Sequence, residues 1–365
     1  MTPMFRAEVI GSMLRPSYLK EGRAAFEQGA LPVRELKRLE DRAVDQAIAM
    51  QEGAGVDVVS DGEMRRFLFM GPITETVEGI EFVDHDQPMP WSSPEGDLEW
   101  LPPAAVTSKL RKRRSMVTEE YSYARARARL PLKVTVPSPL VLYGLWSPRY
   151  SSAAYADPFE MFADAAEVGR SEIEELVSLG CEYIQVDAPE LATLVDPRVR
   201  DWAESLGFAA QRMLTEGIDL INGMVQGISG VRLGIHLCRG NNAGMWMASG
   251  GYDYIAKALF ERATGFDAFF LEYDDARSGS FEPLAEAPDD KQVVLGLVST
   301  KTPELETPDE LNARIDEAAR YFPREQLGLS TQCGFASIAL GNPITEADEE
   351  RKLRLVAETA HAAWS

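Results

Sequence analysis

A chain of 365 residues with 45% hydrophobic content suffices for two ordinary domains or one large α/β barrel, with ample material for a core. Its formal charge of −21 argues against a surface built to hold phosphate, and three unevenly spaced cysteines (Cys181, Cys238, Cys333) do not make a disulfide framework. The first residues, "MTPMFRAEVIGSMLRP", lack a signal peptide's apolar core and cleavage site, and no apolar run nears the ~20 residues that cross a bilayer. The expectation is a reduced, cytoplasmic globular protein with no nucleic-acid or membrane partner.

In chain order, a strand-like run at 7–12 ("AEVIGS") precedes an amphipathic helical pattern over 33–53, and a second strand is expected at 56–63 ("VDVVSDGE"). Residues 64–131 then break the rhythm. They are too long for an ordinary connection and rich in Pro, Trp and charge, so they read as an insertion capping a barrel mouth, with a hairpin in "ITETVEGIEFV" and a helix near 117–129. Its basic stretches, "KLRKRR" and "ARARAR", read as solvated faces.

Strands follow at 133–139, 182–189, 232–238, 268–274, 293–300 and 327–333. A helix opens at Asp157-Pro158, a cap and a first-turn proline, and runs to 179. Two more, 307–322 and 345–363, each begin with a threonine cap and an acidic first turn. The tract 275–291 is too rich in Pro and Gly for a long helix. The strands' nearly continuous apolar character and the βαβα order predict one (β/α)8 TIM barrel over 1–365, with the long insertion between the second and third strands. A doubly wound sheet is the competitor, but no Gly-rich phosphate fingerprint follows any strand.

Barrel enzymes build their sites at the C-terminal ends of strands, and here those ends carry Ser12, Asp61, Glu63, Ser138, Asp187, His236, Cys238, Glu272, Lys301 and Cys333. His236 and Cys238 share one strand face in "GIHLCRGNN". By themselves they serve equally well as core filling. With Glu272 and Cys333 on the same rim they match what Zn²⁺ accepts in tetrahedral coordination, and the soft sulfurs disfavour Mg²⁺ and Ca²⁺. A zinc ion with two thiolates and an imidazole is a poor generator of hydroxide. It suits a substrate thiol, activated as a zinc thiolate and then alkylated, with Glu272 loosening as the thiol enters. Cys181, on the opposite rim, reads as structural.

The ordered motifs "VIGSMLRP", "DVVSDGEMRR", "PSPLVLYGLWSP", "YIQVDAPEL", "HLCRGN", "FLEYDDARSG", "GLVSTKTPELE" and "STQCGF" run nearly end to end. Through them the chain resembles the catalytic barrel of the cobalamin-independent methionine synthases, in the short, single-barrel branch. The resemblance implies zinc on His236, Cys238, Glu272 and Cys333. It implies Ser12 on the carboxylate of homocysteine, Glu63 and Asp187 on its ammonium group, and Trp146 against a pterin ring. The chain departs from the family in three respects. It shows no second, N-terminal barrel, "DEPA" has become "DAPE" with an acidic residue at 190, and the histidine of "HSP" is Lys301, a weak general acid unless burial lowers its pKa.

The expected activity is zinc-dependent methyl transfer to homocysteine from a methyl-folate or methyl-corrinoid. The same branch looks similar to the epoxyalkane:coenzyme M transferases, in which Lys301 or a tyrosine would protonate the alkoxide and Arg65, Arg66 or Arg239 would hold the sulfonate. A non-catalytic zinc-binding barrel is the third reading.

Overall fold

Runs of β-branched and aromatic residues that are apolar on both faces need cover on both sides, and a parallel sheet inside a ring of helices provides it. The structure, a computed structural model, describes residues 4–365. In chain order its strands are β1 (Ala7–Glu8), β2 (Val77–Phe82), β3 (Met89–Ser93), β4 (Gly96–Trp100), β5 (Ala104–Lys112), β6 (Val134–Pro137), β7 (Tyr183–Asp187), β8 (Arg232–Leu237), β9 (Ala268–Glu272), β10 (Gln292–Val298) and β11 (Leu327–Thr331).

Seven of them form one parallel sheet in the order β1-β11-β10-β9-β8-β7-β6. Its two edges meet through a single segment: Val58 is bridged in parallel to Glu8, and Val59 to Leu132 just ahead of β6. That segment stands where the sequence predicts the second strand, but it is held by two single bridges and not by a ladder. A doubly wound sheet, with strands added on both sides of the first, is excluded by this order.

Two sets of side chains alternate along the strands. Phe269, Val293 and Leu295 face the large core shared with the helices, while Phe270, Val294, Ile10, Val58 and Tyr183 form a smaller cluster on the opposite face. Beside Tyr183 and Phe270, Lys133 and Glu8 form a fully buried ion pair at 3.0 Å, with the Tyr183 hydroxyl also donating to Glu8. Outside run the helices Val33–Ala54, Pro158–Ser178, Pro308–Ala318 and Glu346–Ala363, within a few residues of the predicted bounds. Asp157 caps the second of these, and Thr307 and Thr345 close reciprocal capping boxes on the last two. Between β9 and β10 there are only short 3₁₀ turns.

The stretch 64–131 holds the helices Gly71–Thr76 and Thr118–Arg125 and two small antiparallel sheets. The predicted hairpin in "ITETVEGIEFV" does not form. Its first residues end a helix, and β2 pairs instead with the distant β5, through a bulge at Gly79. With φ +102° and the carbonyl of Ser108 2.7 Å from where a Cβ would stand, only glycine fits that bulge. The local hairpin is β3–β4, around Pro94-Glu95. The two lysines of β5 stand beside carboxylates: Lys112 pairs with Glu172 and Glu175, and Lys109 lies near Glu160 and Asp164. Among the described residues, no helix is long and apolar enough to cross a membrane.

Candidate active site

The parallel register brings the strand ends to one rim. Asp187, last in β7, is the partner of His236 in β8, and Leu237 is the partner of Leu271, next to Glu272. The thiols of Cys238 and Cys333 and one ring nitrogen of His236 all lie within 4.8 Å of one another, and all three residues are buried. Both nitrogens of His236 lack a hydrogen-bond partner. A buried imidazole with no partner, facing two thiols, is a donor set that could hold Zn²⁺, which accepts S and N ligands at roughly 2.0–2.3 Å.

Glu272 stands beside this group but outside the 4.8 Å set. Its Oε2 accepts the Arg239 amide N–H at 2.7 Å, and its Oε1 lies 3.2 Å from Arg277 and 3.3 Å from Lys301. Burial pushes its pKa up, but Lys301, Arg277 and Arg239 outweigh burial and hold it well below the usual carboxylate range, at about 2. Lys301 also pairs with Asp274 at 3.4 Å. Burial opposes its charge, yet the two carboxylates raise its pKa above the ordinary lysine value. Tyr252 ties the two strand ends together, donating to the Leu237 carbonyl and accepting the Glu272 N–H.

A cavity of about 1000 Å³ opens over the rim, and its wall includes Ser12, Glu63, Asp187, His236, Cys238 and Cys333. Six of the sequence-predicted site residues therefore reach one space. Lys301, Glu272, Trp146 and Arg239 do not line it. Trp146 turns into the core and meets Phe208 edge-on. Arg239 is fully buried, and its guanidinium donates to the carbonyls of Gly250, Glu272 and Ser278. The aromatic residues that reach the cavity from 64–131 are Phe67, Phe69, Phe82, Trp91 and Trp100.

Ser12 touches Gly334 so closely that a Cβ there would stand 1.9 Å from its Oγ. Glu63 has φ +54°, a left-handed conformation that side-chain-bearing residues adopt at a cost and that clusters at functional sites. Its Oε1 accepts the Thr135 hydroxyl at 2.7 Å, while Oε2 is buried without a partner. Asp187 accepts from Gln185 at 2.7 Å, and burial pushes its pKa up to about 7. Sequence reasoning gave no role to Arg15 or Glu190. Arg15, buried, donates to the carbonyls of Met13, Ala336, Glu63 and Arg66, so one guanidinium clamps the loops carrying Ser12, Glu63 and Cys333. Glu190 lines the cavity. Its only signal was the displaced acid of "DAPE". Cys181 is buried away from this group, with its thiol against the Tyr183 carbonyl and its pKa pushed up by burial to about 11.

The model of the cobalamin-independent synthase catalytic domain matches residues 5–352. The chain belongs to the cobalamin-independent synthase family. Among its relatives in that family, the uncharacterised proteins YxjG and YxjH of Bacillus subtilis are 32% and 33% identical, each comparison covering 99% of this chain and 95% of the relative. The methionine synthase of Saccharolobus solfataricus is 26% identical, over 91% of this chain and 88% of its own. A solved structure of a putative vitamin-B12-independent methionine synthase from Listeria monocytogenes is similar with a TM-score of 0.74 at 25% identity, covering 100% of this chain and 99% of that one. A Shewanella B12-independent methionine synthase structure shares the fold, with a TM-score of 0.75 at 18% identity over 99% and 98% of the two chains. As a member of that family, the chain is an enzyme of methyltransferase type with a TIM-barrel-type fold.

Proposed function

We propose that this protein transfers a methyl group to the thiol of homocysteine, with His236, Cys238 and Cys333 holding Zn²⁺ and Glu272 beside them as a further ligand when the fourth position is open. The chain is then a single (β/α)8 domain spanning 1–365, whose 64–131 insertion caps the mouth. One observation carries the reading: the His/Cys/Cys group shares its cavity with Ser12 and an acid pair, Glu63 and Asp187. Among the described residues, Asp187 pairs with no lysine or arginine, and Glu63 has only a 3.5 Å contact with Arg66, which it shares with Glu120, while its Oε2 is left without a partner. Carboxylates so weakly compensated call for a positive charge from the ligand, and an amino-acid ammonium supplies it. Ser12 donates to the ligand's carboxylate. Zinc, when bound, supplies the charge that lets a thiol lose its proton and stay nucleophilic at neutral pH.

The protein's own residues fix the thiol's approach. Glu63 and Asp187 anchor the amine, Arg15 holds the anchoring loops together, and Lys301 and Arg277 keep Glu272 ionised at the edge of the metal position. Trp91, Trp100 and Met89 supply apolar surface against which a methyl donor packs away from water.

The coenzyme M reading is less well supported. Arg66 is spent on Glu63 and Glu120, Arg65 on Glu40 and Asp41, and Arg239 on backbone carbonyls, and none of the three lines the cavity. The arginines that do line the cavity, Arg113 and Arg114, belong to the 64–131 stretch, whereas the strand ends beside the His/Cys/Cys group offer Glu63 and Asp187, so a sulfonate on a thiol held there would meet carboxylates. The test is a turnover screen crossing homocysteine, coenzyme M and glutathione with methyl-folate, methylcobalamin and a small epoxide. Methylation of homocysteine alone among the thiols is expected. Turnover with coenzyme M and epoxide, and none with homocysteine, would reverse the assignment.

A further inference from the structure

The proposed transfer needs a proton that none of the groups above supplies. When a thiolate takes methyl from nitrogen or oxygen, the electron pair of the breaking C–N or C–O bond stays on the leaving atom, which then needs a proton. Lys301 does not line the cavity, and its ammonium is held between Glu272 and Asp274, whose charges raise its pKa.

Glu190 does line the cavity. It sits in the helix Pro189–Thr193, three residues beyond Asp187, and is fully buried. The Ser138 hydroxyl donates to its Oε2 at 2.9 Å, whereas its Oε1 is buried with no partner. With Oε2 occupied as an acceptor, a carboxyl proton belongs on Oε1. The helix packs against the turn Pro139–Leu145 and against β8. The titratable groups on these elements and on its own approach are Asp187, Tyr143, His236 at the rim end of β8 and Arg232 at the strand's opposite end. There Arg232 lies over Tyr183 and donates to Gln292, so among these groups no lysine or arginine neutralises Glu190 at the rim.

Resting on the methyl-transfer reading above, we propose that Glu190 is the proton donor to the leaving atom of the methyl donor. Burial raises its pKa to about 8, so it carries its proton at neutral pH. In the balanced step, the substrate thiol has already given its proton to solvent. Its sulfur forms the S–C bond as the donor's C–N or C–O bond breaks. The electron pair goes to the leaving atom, which takes the Oε1 proton, and the Glu190 carboxylate is reprotonated from solvent. Nothing is oxidised or reduced.

The test compares wild type and Glu190→Gln, which keeps the acceptor for Ser138, with homocysteine and two donors. Methyl-folate leaves as a nitrogen that needs a proton, whereas methylcobalamin leaves as Co(I) and needs none. The expected result is a loss of about 100-fold or more in kcat with methyl-folate, and methylcobalamin turnover unchanged within about twofold. Equal losses with both donors, no loss with either, or wild-type turnover with methylcobalamin alone would overturn the assignment. Infrared difference spectra of the two proteins at pH 7 read the proton without any turnover. A protonated-carboxyl band lost in Glu190→Gln is expected, and its absence from wild type overturns the proposal. Wild type inactive with both donors would instead refute the methyl-transfer reading, and the infrared band would still decide whether Glu190 holds a proton.

Discussion

Glu63 combines a strained backbone, a carboxylate oxygen without a partner and a place on the cavity wall, and Arg15 holds its carbonyl in place. Glu63→Gln is expected to raise the KM for homocysteine about 10- to 100-fold, the value of a charged hydrogen bond, with zinc content unchanged by metal analysis. A KM within twofold of wild type would remove the residue from the amine site. That six of the residues singled out in the sequence share one cavity was legible because parallel strands deliver their C-terminal ends to one rim. What sequence order does not give is the direction a side chain takes beyond the strand. Trp146 turns inward to Phe208, Arg239 spends its guanidinium on three carbonyls, and Lys301 is drawn down between two carboxylates. Arg15 was illegible for a related reason: its partners are backbone carbonyls, which carry no residue-type signature.

Among the elements, the hairpin β3–β4 brings Trp91 and Trp100 to the wall of the cavity that the barrel's strand ends also line. Replacing both tryptophans by alanine is expected to raise the KM for the methyl donor at least tenfold and leave thiol affinity, read by isothermal titration, within about twofold. Loss of thiol affinity would mean the hairpin shapes the thiol site as well. The element that failed to be legible lies next to it. A two-residue alternation says that β2 is a strand but not which strand it pairs with, and the partner, β5, lies more than twenty residues on. The loop holding Ser12 has its own support: Glu349, in the first turn of the C-terminal helix, accepts the Leu14 N–H at 2.8 Å. Burial raises the pKa of Glu349 to about 8. The folded state therefore holds this proton more tightly than the unfolded chain, and stability falls as pH rises from the ordinary glutamate value towards 8. Glu349→Gln is expected to flatten that fall in the thermal midpoint between pH 5 and 8; an unchanged slope would contradict it.

Across the whole molecule, the same sheet keeps its polar chemistry at one end and a sealed ion pair, Glu8–Lys133, among Tyr183 and Phe270 at the other. Lys133→Met strands the Glu8 charge and is expected to cost about 3–5 kcal/mol by denaturant unfolding, much of it recovered when Glu8→Leu is added. A single variant as stable as wild type would show that the pair is not held ionised. The fold was legible at this scale because its βαβα order and apolar runs are properties of the whole chain; the second strand, reduced to two bridges at Val58 and Val59, marks where the pattern exceeded the structure.

The proposed chemistry stands on the metal position between His236, Cys238 and Cys333. X-ray absorption at the zinc edge of the zinc-loaded protein, recorded with and without homocysteine, tests it most directly. Two sulfur ligands and one imidazole are predicted without substrate, becoming three sulfurs on its addition. A sulfur count that does not change with homocysteine, or a protein that retains no zinc when Cys238 and Cys333 are intact, would contradict it.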